Sequence, residues 1–243
     1  MRSLTPGEDS MLESLRIRKW STVATLAFLL YEHTITFREE VSHIWRRPVT
    51  AVRATFMFSR YFTLIVQTVN VYLVLGPFSA TTIAESTCKK WFLFQITAAC
   101  ALMTALDLIL MLMIYALYRK NKRIGILLTT LFFAQIIVES ALSPKAVLDV
   151  SYDPICDTTE THSVTIYFCM SVWITHISLA ALTGFKKDLL ALGAPVVKRV
   201  IRDGTWILVV VCSLFATIVP YSFAHQVSQG HVVFGCATLV ALT

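Results

Sequence analysis

Ionisable side chains stand inside the longest apolar runs of this chain: Glu32 and His33 in "VATLAFLLYEHTITF", Arg60 in "FMFSRYFTLIVQ", Asp107 in "MTALDLILM", Glu139 in "IIVES" and His176 in "VWITHISLA". Carboxyl and imidazole groups in such surroundings trap a proton, hold an ion or ligand, or join helices through hydrogen bonds. A charge at the centre of a lipid-spanning helix costs at least ~2.5 to 3.5 kcal/mol on insertion scales, so each of these residues needs a reason to be there. Arg60 lies near one end of its run and can snorkel to the interface. Asp107 sits mid-run with no interfacial escape, so it requires a partner such as His33, His176 or a polar side chain, or it stays protonated. An interhelical hydrogen bond is the preferred reading of this candidate intramembrane polar site, and a ligand, ion or proton site is the other.

Catalytic constellations are missing from the sequence. An intramembrane metal hydrolase would show convergent His and acidic ligands, often as His-x-x-x-His on one helix, and no such pair occurs. His225 and His231 are separated by a Gln-Gly turn region, and His43 and His162 fall on opposite expected sides of the membrane. With only 8 Gly and no G-x-x-x-x-G-K, a phosphate-cradling loop is absent as well. The expectation is no catalytic, cofactor-binding or metal residues, no cofactor, and no enzyme activity.

The elements that must position the buried polar groups follow from hydropathy. The chain is 56% hydrophobic and 15% charged over 243 residues, with a mean hydropathy of +0.67, well above a soluble domain. Apolar runs of about 20 residues match a ~30 Å hydrocarbon layer crossed as helix. We place spans at Trp20 to Phe37, Ala54 to Phe78, Phe92 to Tyr118, Ile124 to Ser143, Val164 to Gly184 and Thr205 to Val227. The stretch from His231 to Thr243 is too short to cross alone and reads as a truncated seventh helix. The fold class is therefore all-α, an integral membrane helical bundle of six full transmembrane helices plus a short seventh. Residues 1–19 form an N-terminal extension, and 20–243 a single multi-pass domain. Long, continuously apolar runs argue against a β-barrel.

Charge sets the expected orientation. Arg38, Arg46, Arg47 and Arg53 follow the first span, Arg119, Lys120, Lys122 and Arg123 the third, and Lys186, Lys187, Lys198, Arg199 and Arg202 the fifth, whereas the alternate loops hold only Lys89, Lys90 and Lys145. The positive-inside rule places the rich loops in the cytoplasm, the N-terminus outside and the C-terminus at the inner side of a plasma membrane or endomembrane. Arg16, Arg18 and Lys19 ahead of the first span argue the other way, as the basic flank of a signal anchor, and are outvoted by the loops. The net charge of +6 thus reflects membrane topology and anionic lipids at the inner face, with no nucleic-acid partner.

Within "REEVSHIWRRP" the apolar residues recur at helical spacing, giving a short amphipathic connector in which Trp45 sits at headgroup depth and Arg46 and Arg47 face lipid phosphates. Glu39 stands four residues before His43 and can pair with it. Cys88 and Cys156 fall in the two exterior loops, where an oxidising compartment would allow a disulfide between them. The exterior "SPKAVLDVSYDPICDTTETH" is acidic, without calcium-loop spacing. The cytoplasmic "KKDLLALGAPVVKRVIRDG" suits an interfacial segment or a docking site for a cytosolic protein.

The ordered set "LLYEHTITFREEVSHIWRR", "FMFSRYFTLIVQTVNVYLV", "IYALYRKNKR" and "VIRDGTWILVVV" resembles a large family of fungal, mainly basidiomycete, multi-pass membrane proteins. The N-terminal portion of that family is known only as a domain of unknown function. Its acidic motif corresponds to Glu39 and Glu40, its Trp-Arg-Arg connector to Trp45, Arg46 and Arg47, and its Asn-or-Ser-Arg-Tyr stretch to Ser59, Arg60 and Tyr61, within a family-like portion of about 20–75. "YEHTITF" departs from the family's usual Tyr-Asp-Tyr form. The resemblance implies a membrane architecture and no established activity. By analogy of plan, a seven-helix receptor-like sensor is the first functional expectation, although "YALYRK" stands where such receptors carry an acid-Arg-aromatic triplet. A small-molecule or ion carrier or channel is the second, and an intramembrane enzyme the third.

Overall fold

The computed structural model describes residues 6–45, 50–79, 83–148, 151–156, 163–184 and 213. Helix α1 spans Pro6–Glu40 and ends in a π-helical turn, Val41–Trp45; α2 spans Ala51–Leu75 and runs into a 3-10 turn, Pro77–Ser79; α3 spans Glu85–Leu117, α4 Lys122–Leu148 and α5 Ser163–Gly184. No strand occurs among the described residues. Each helix packs on the next in sequence, and α3 also touches α5, so the chain runs up and down with short connections.

Among the described residues, three helical stretches are long and apolar enough to cross a membrane: Ala51–Leu75, Glu85–Leu117 and Lys122–Leu142. Six full spans are therefore not supported. Helix α1 is long enough, at roughly 52 Å, but Glu32, His33 and a row of threonines dilute its apolar run. In α5, a helix of 22 residues, the stretch Met170–Thr183 is apolar. The expected sixth span and the truncated seventh helix lie outside the described residues, as do Arg46 and Arg47 of the connector. The helix also begins at Pro6, so residues 6–19 continue α1 without a break.

Helices α1 and α2 turn mainly polar residues inward, unlike helices of a soluble bundle. Along α1 the buried positions are Leu15, Arg18, Thr22, Thr25, Leu29 and Glu40, and along α2 they include Ser59, Arg60, Thr63, Val66, Gln67, Asn70 and Val74. Spacings of three and four put each set on one helix face. Trp20, Phe28, Leu30 and Tyr31 of α1 and Ile65, Val69 and Tyr72 of α2 are exposed instead. The threonines satisfy themselves, Thr22 Oγ1 donating to the Arg18 carbonyl at 2.7 Å and Thr63 Oγ1 to Ser59 at 2.7 Å. They then present methyl groups to the neighbouring helix and let the backbones approach closely.

One end of the bundle is closed by a cystine. Cys88, in the first turn of α3, is bonded to Cys156, with Cα atoms 5.3 Å apart. Around it pack Val74, Phe78, Trp91, Phe92 and the half-buried Tyr152. Ile83 N–H donates to the Pro154 carbonyl at 2.9 Å, which fixes the loop before α5 against the start of α3. Beneath this cap lies Arg18, only 2% exposed. Its Nη1 donates to the Ile155 carbonyl at 2.5 Å and its Nη2 to the Phe78 carbonyl at 3.0 Å, while the guanidinium stands over the Trp91 ring. The sequence reading of Arg18 as a topogenic flank thus misses its role as a buried clamp. Its charge is spread over two backbone carbonyls and an aromatic face.

At the opposite end, α3 and α4 are joined through a tight turn in which Arg119 and Lys120 adopt left-handed backbone, φ 52° and 59°. Lys120 N–H returns to the Tyr115 carbonyl and Asn121 Oδ1 accepts from Arg123 N–H, so the turn caps both helices. Gly125 lies against the Tyr115 ring, where a Cβ would come within 2.9 Å of Cε2.

Two outcomes follow. The cystine closes a segment of sequence separation 68, for which loop-closure entropy is worth up to about 4 kcal/mol. Cys156→Ser, like reduction of the wild type, will lower the unfolding midpoint in detergent micelles; an unchanged midpoint would show the bond to be idle. Tyr152, which lies in the loop between α4 and α5, has its phenol pushed up from the usual 10 to about 12, first by burial and then by the nearby Glu85 carboxylate. Its neutral form is favoured by folding, so this contribution is full below pH 10 and fades as pH climbs towards 12. Tyr152→Phe should flatten that alkaline loss in a pH series of unfolding midpoints.

Candidate functional site in the bundle interior

The polar stripes meet in separate networks. Near the C-terminal end of α1, Arg60 of α2 crosses to α1. Its Nε lies 3.1 Å from Glu40 Oε2 and donates to His33 Nδ1 at 2.9 Å, and its Nη2 donates to the His33 carbonyl at 3.2 Å and to Thr36 Oγ1. Glu40 also accepts from Tyr61 Oη at 3.1 Å and from Trp45 Nε1 at 3.2 Å. The pair is nearly dry, with side chains 9% and 1% exposed. Sequence reasoning let Arg60 snorkel, offered Glu39 as a partner of His43 and left Glu39 and Glu40 together in one acidic motif. The structure instead buries Arg60 against Glu40 and leaves Glu39 on the exposed face. Helical phase explains the choice, since Glu40 continues the line of His33 and Thr36 that faces α2 and Glu39 is turned away from it. The His43 side chain lies outside the described residues.

A second link joins α1, α2 and α3 through uncharged groups. Gln67 Nε2 donates to the Thr22 carbonyl at 3.1 Å, and Asn70 Oδ1 accepts from both Trp91 Nε1 at 3.1 Å and Gln95 Nε2 at 3.0 Å. All are buried. Such amide contacts are worth about 0.6 kcal/mol each on average within membranes, but they also fix register, because sliding a helix by one residue would strand them.

The third network has the most chemistry. Asp107 of α3, Gln135 and Glu139 of α4 and His176 of α5 come together, each no more than 5% exposed. Asp107 lies about 15 Å from the C-terminal end of its helix, roughly half the thickness of a hydrocarbon layer. Gln135 Nε2 donates to Asp107 Oδ2 at 2.7 Å and to Glu139 Oε1 at 2.8 Å, so one amide bridges two carboxyl groups. His176 Nε2 stands 3.6 Å from Asp107 Oδ1. The layer beside it is apolar: Leu110, Met111, Ile114, Leu128 and Leu179. Among the described residues no His, Cys, Asp and Glu group has the geometry to hold a metal ion. An acid, an imidazole and a bridging amide in a dry setting can hold and exchange a proton, or fasten three helices together.

Of the residues singled out from sequence, Asp107, Glu139 and His176 are thus brought together, His33 and Arg60 form a separate cluster with Glu40 and Trp45, and Glu32 joins neither, being half-buried with its carbonyl accepting from Thr36. Sequence reasoning missed Gln135, Gln67, Asn70 and Gln95, and named Glu40 only as part of the acidic motif. Their signal is helical periodicity of polar residues, as in Ser59, Thr63, Gln67 and Asn70, which a search restricted to charges overlooks. Truncating Arg60 leaves Glu40 buried without its cation. Arg60→Ala should therefore destabilise the protein by about 3–5 kcal/mol, whereas Arg60→Met combined with Glu40→Gln should recover much of that loss. Unfolding in mixed micelles checks both, and equal losses in the single and double variants would contradict the pairing.

Residues 20–65 match the model of a family of unknown function (DUF6533). No curated protein and no solved structure matches the chain. The matched stretch contains both sides of the first network, from His33, Thr36, Glu40 and Trp45 to Arg60 and Tyr61. A domain of unknown function thus occupies residues 20–65 of this membrane protein, and its two helices meet through the Arg60–Glu40 pair.

Proposed function

We propose that the protein is a seven-helix, receptor-like membrane sensor of the fungal family its motifs resemble, with the cystine end of the bundle outside and the Arg60–Glu40 end at the cytoplasmic face. In this reading α1 and α5 also cross the membrane, and Thr205 to Val227 and the short His231 to Thr243 segment complete the bundle. The carrying observation is the Cys88–Cys156 bond, which ties the start of α3 to the loop before α5. Disulfides persist in oxidising compartments, and Arg38, Arg53, Arg119, Lys120, Lys122 and Arg123 belong to the other end. Arg18, which argued for the reverse orientation, is engaged by two carbonyls at the cystine end. That weakens the objection, since a cation with internal partners resists export less than a hydrated one. Trp45, Arg46 and Arg47 then meet anionic lipid, and the basic segment after α5 serves a cytosolic partner.

A carrier is the second reading, favoured by the buried Asp107, Glu139 and His176. Epitope tags at the N-terminus and in the Arg119 turn separate the orientations: the first should be reached by antibody in intact cells and the second only after permeabilisation. The reverse pattern would sink the proposed topology. In vesicles loaded with a pH dye, the sensor should pass no protons under an imposed gradient, and flux abolished by Asp107→Asn would transfer the assignment to a carrier.

A further inference from the structure

We propose that the contact between Asp107 and His176 is the binding site of one exchangeable proton, carried on Asp107 Oδ1 and donated to His176 Nε2. The proposal rests on the membrane-embedded reading of α3 to α5 and holds for sensor and carrier alike.

The geometry points to a ligand. His176 is 1% exposed, and neither of its ring nitrogens has a hydrogen-bond partner; Asp107 Oδ1 and Gln135 Oε1 are likewise buried without one. Nε2 nevertheless faces Oδ1 at 3.6 Å, too far for a formed bond and close enough for a proton to draw the two together. Gln135 spends its amide nitrogen on both carboxyl groups and has no charge with which to neutralise either. Among the described residues His176 is the only cation-forming group within ion-pair distance of Asp107. Among the described residues, the groups facing the contact are Gln135 and Glu139 from α4 and His176 from α5. Helix α2 also packs on α3, but its buried charge, Arg60, is engaged by Glu40 and His33. An ionised Asp107 would therefore stand beside a second acid, with His176 its one potential counter-charge among the described residues. In a dry interior the neutral carboxyl donating to a neutral imidazole is preferred over separated charges. Sodium suits the site less, since one of the two free faces is an imidazole nitrogen rather than oxygen.

Binding takes a proton from water onto Oδ1, and release returns it there, leaving a carboxylate between α3 and α5. That charge can be solvated only by water entering the seam or by α5 moving away, so occupancy of the site sets the α3–α5 contact.

Infrared difference spectroscopy of the full chain in vesicles of phosphatidylcholine and phosphatidylglycerol, stepped in pH, tests the assignment. Resistance of the protein to alkaline carbonate extraction is the separate check on membrane embedding; extraction would defeat that reading whatever the spectra show. In embedded protein, a protonated-carboxyl stretch that shifts in heavy water should be present at neutral pH and lost in Asp107→Asn, which keeps the shape and the acceptor for Gln135. His176→Gln should lower its proton affinity about tenfold, moving the release midpoint down by one pH unit. A wild-type spectrum in Asp107→Asn, or an unmoved midpoint in His176→Gln, overturns the proposal. So does a band that disappears when sodium chloride replaces choline chloride, which would make the ligand sodium.

Discussion

A bundle surrounded by hydrocarbon gains nothing by hiding apolar side chains from a solvent that is itself apolar, so its helices must find each other through polar contacts and close packing. This constraint accounts for the internal layout. Every helix seam described has buried polar groups: Arg60 with Glu40 and Gln67 with the Thr22 carbonyl between α1 and α2, Asn70 with Trp91 and Gln95 between α2 and α3, and Gln135 with Asp107 and His176 among α3, α4 and α5. Many large apolar side chains face outward as well, among them Trp20, Tyr31, Ile65, Tyr72, Ile126 and Ile137. Because a polar group in lipid has no alternative partner, each contact also rejects wrong helix registers.

The networks differ in character. In the Arg60–Glu40 pair the guanidinium is held by Glu40, His33 and Thr36, and Glu40 Oε1 accepts from Tyr61 and Trp45 while Oε2 has the Arg60 cation as its counter-charge, as suits a fixed joint. The Asp107 cluster is incomplete, with acceptor and donor sites on Asp107, Gln135 and His176 left over. Incomplete satisfaction is costly in a dry interior and marks a place where occupancy can change. Joint and variable site lie on different helix pairs, so the first can stay rigid while the second responds.

The sequence carried much of this layout and lost parts of it for identifiable reasons. Helix positions α2 to α5 were legible because their apolar runs are long and bounded by charge. Cys156 was legible as a loop residue and Asp107 as a mid-run charge needing a partner, whereas Cys88, expected in a loop, stands in the first turn of α3. Glu40 was hidden because two adjacent acids look alike until helical phase separates them. Arg18 was hidden because a basic residue ahead of an apolar run reads as a topology signal, and nothing local reveals that carbonyls of Phe78 and Ile155 arrive from distant segments. Gln135 was hidden by being uncharged. The shortfall of α1 as a span has a source in its composition: Glu32, His33 and several threonines stand in the run, and composition alone cannot tell a face turned to protein from one turned to lipid.

The turn between α3 and α4 has a mechanical consequence. Two left-handed residues, a returning hydrogen bond from Lys120 to Tyr115 and the close approach of Gly125 to the Tyr115 ring leave no slack at that corner. Tyr118, just before it, reaches the Leu182 carbonyl of α5 at 2.8 Å. Helices α3 and α4 therefore behave as one stiff two-legged frame, hinged to α5 near its own apex. A small displacement at His176, partway along α5, becomes a rotation about the Tyr118 contact, and its throw is largest at the far end of α5, away from the apex.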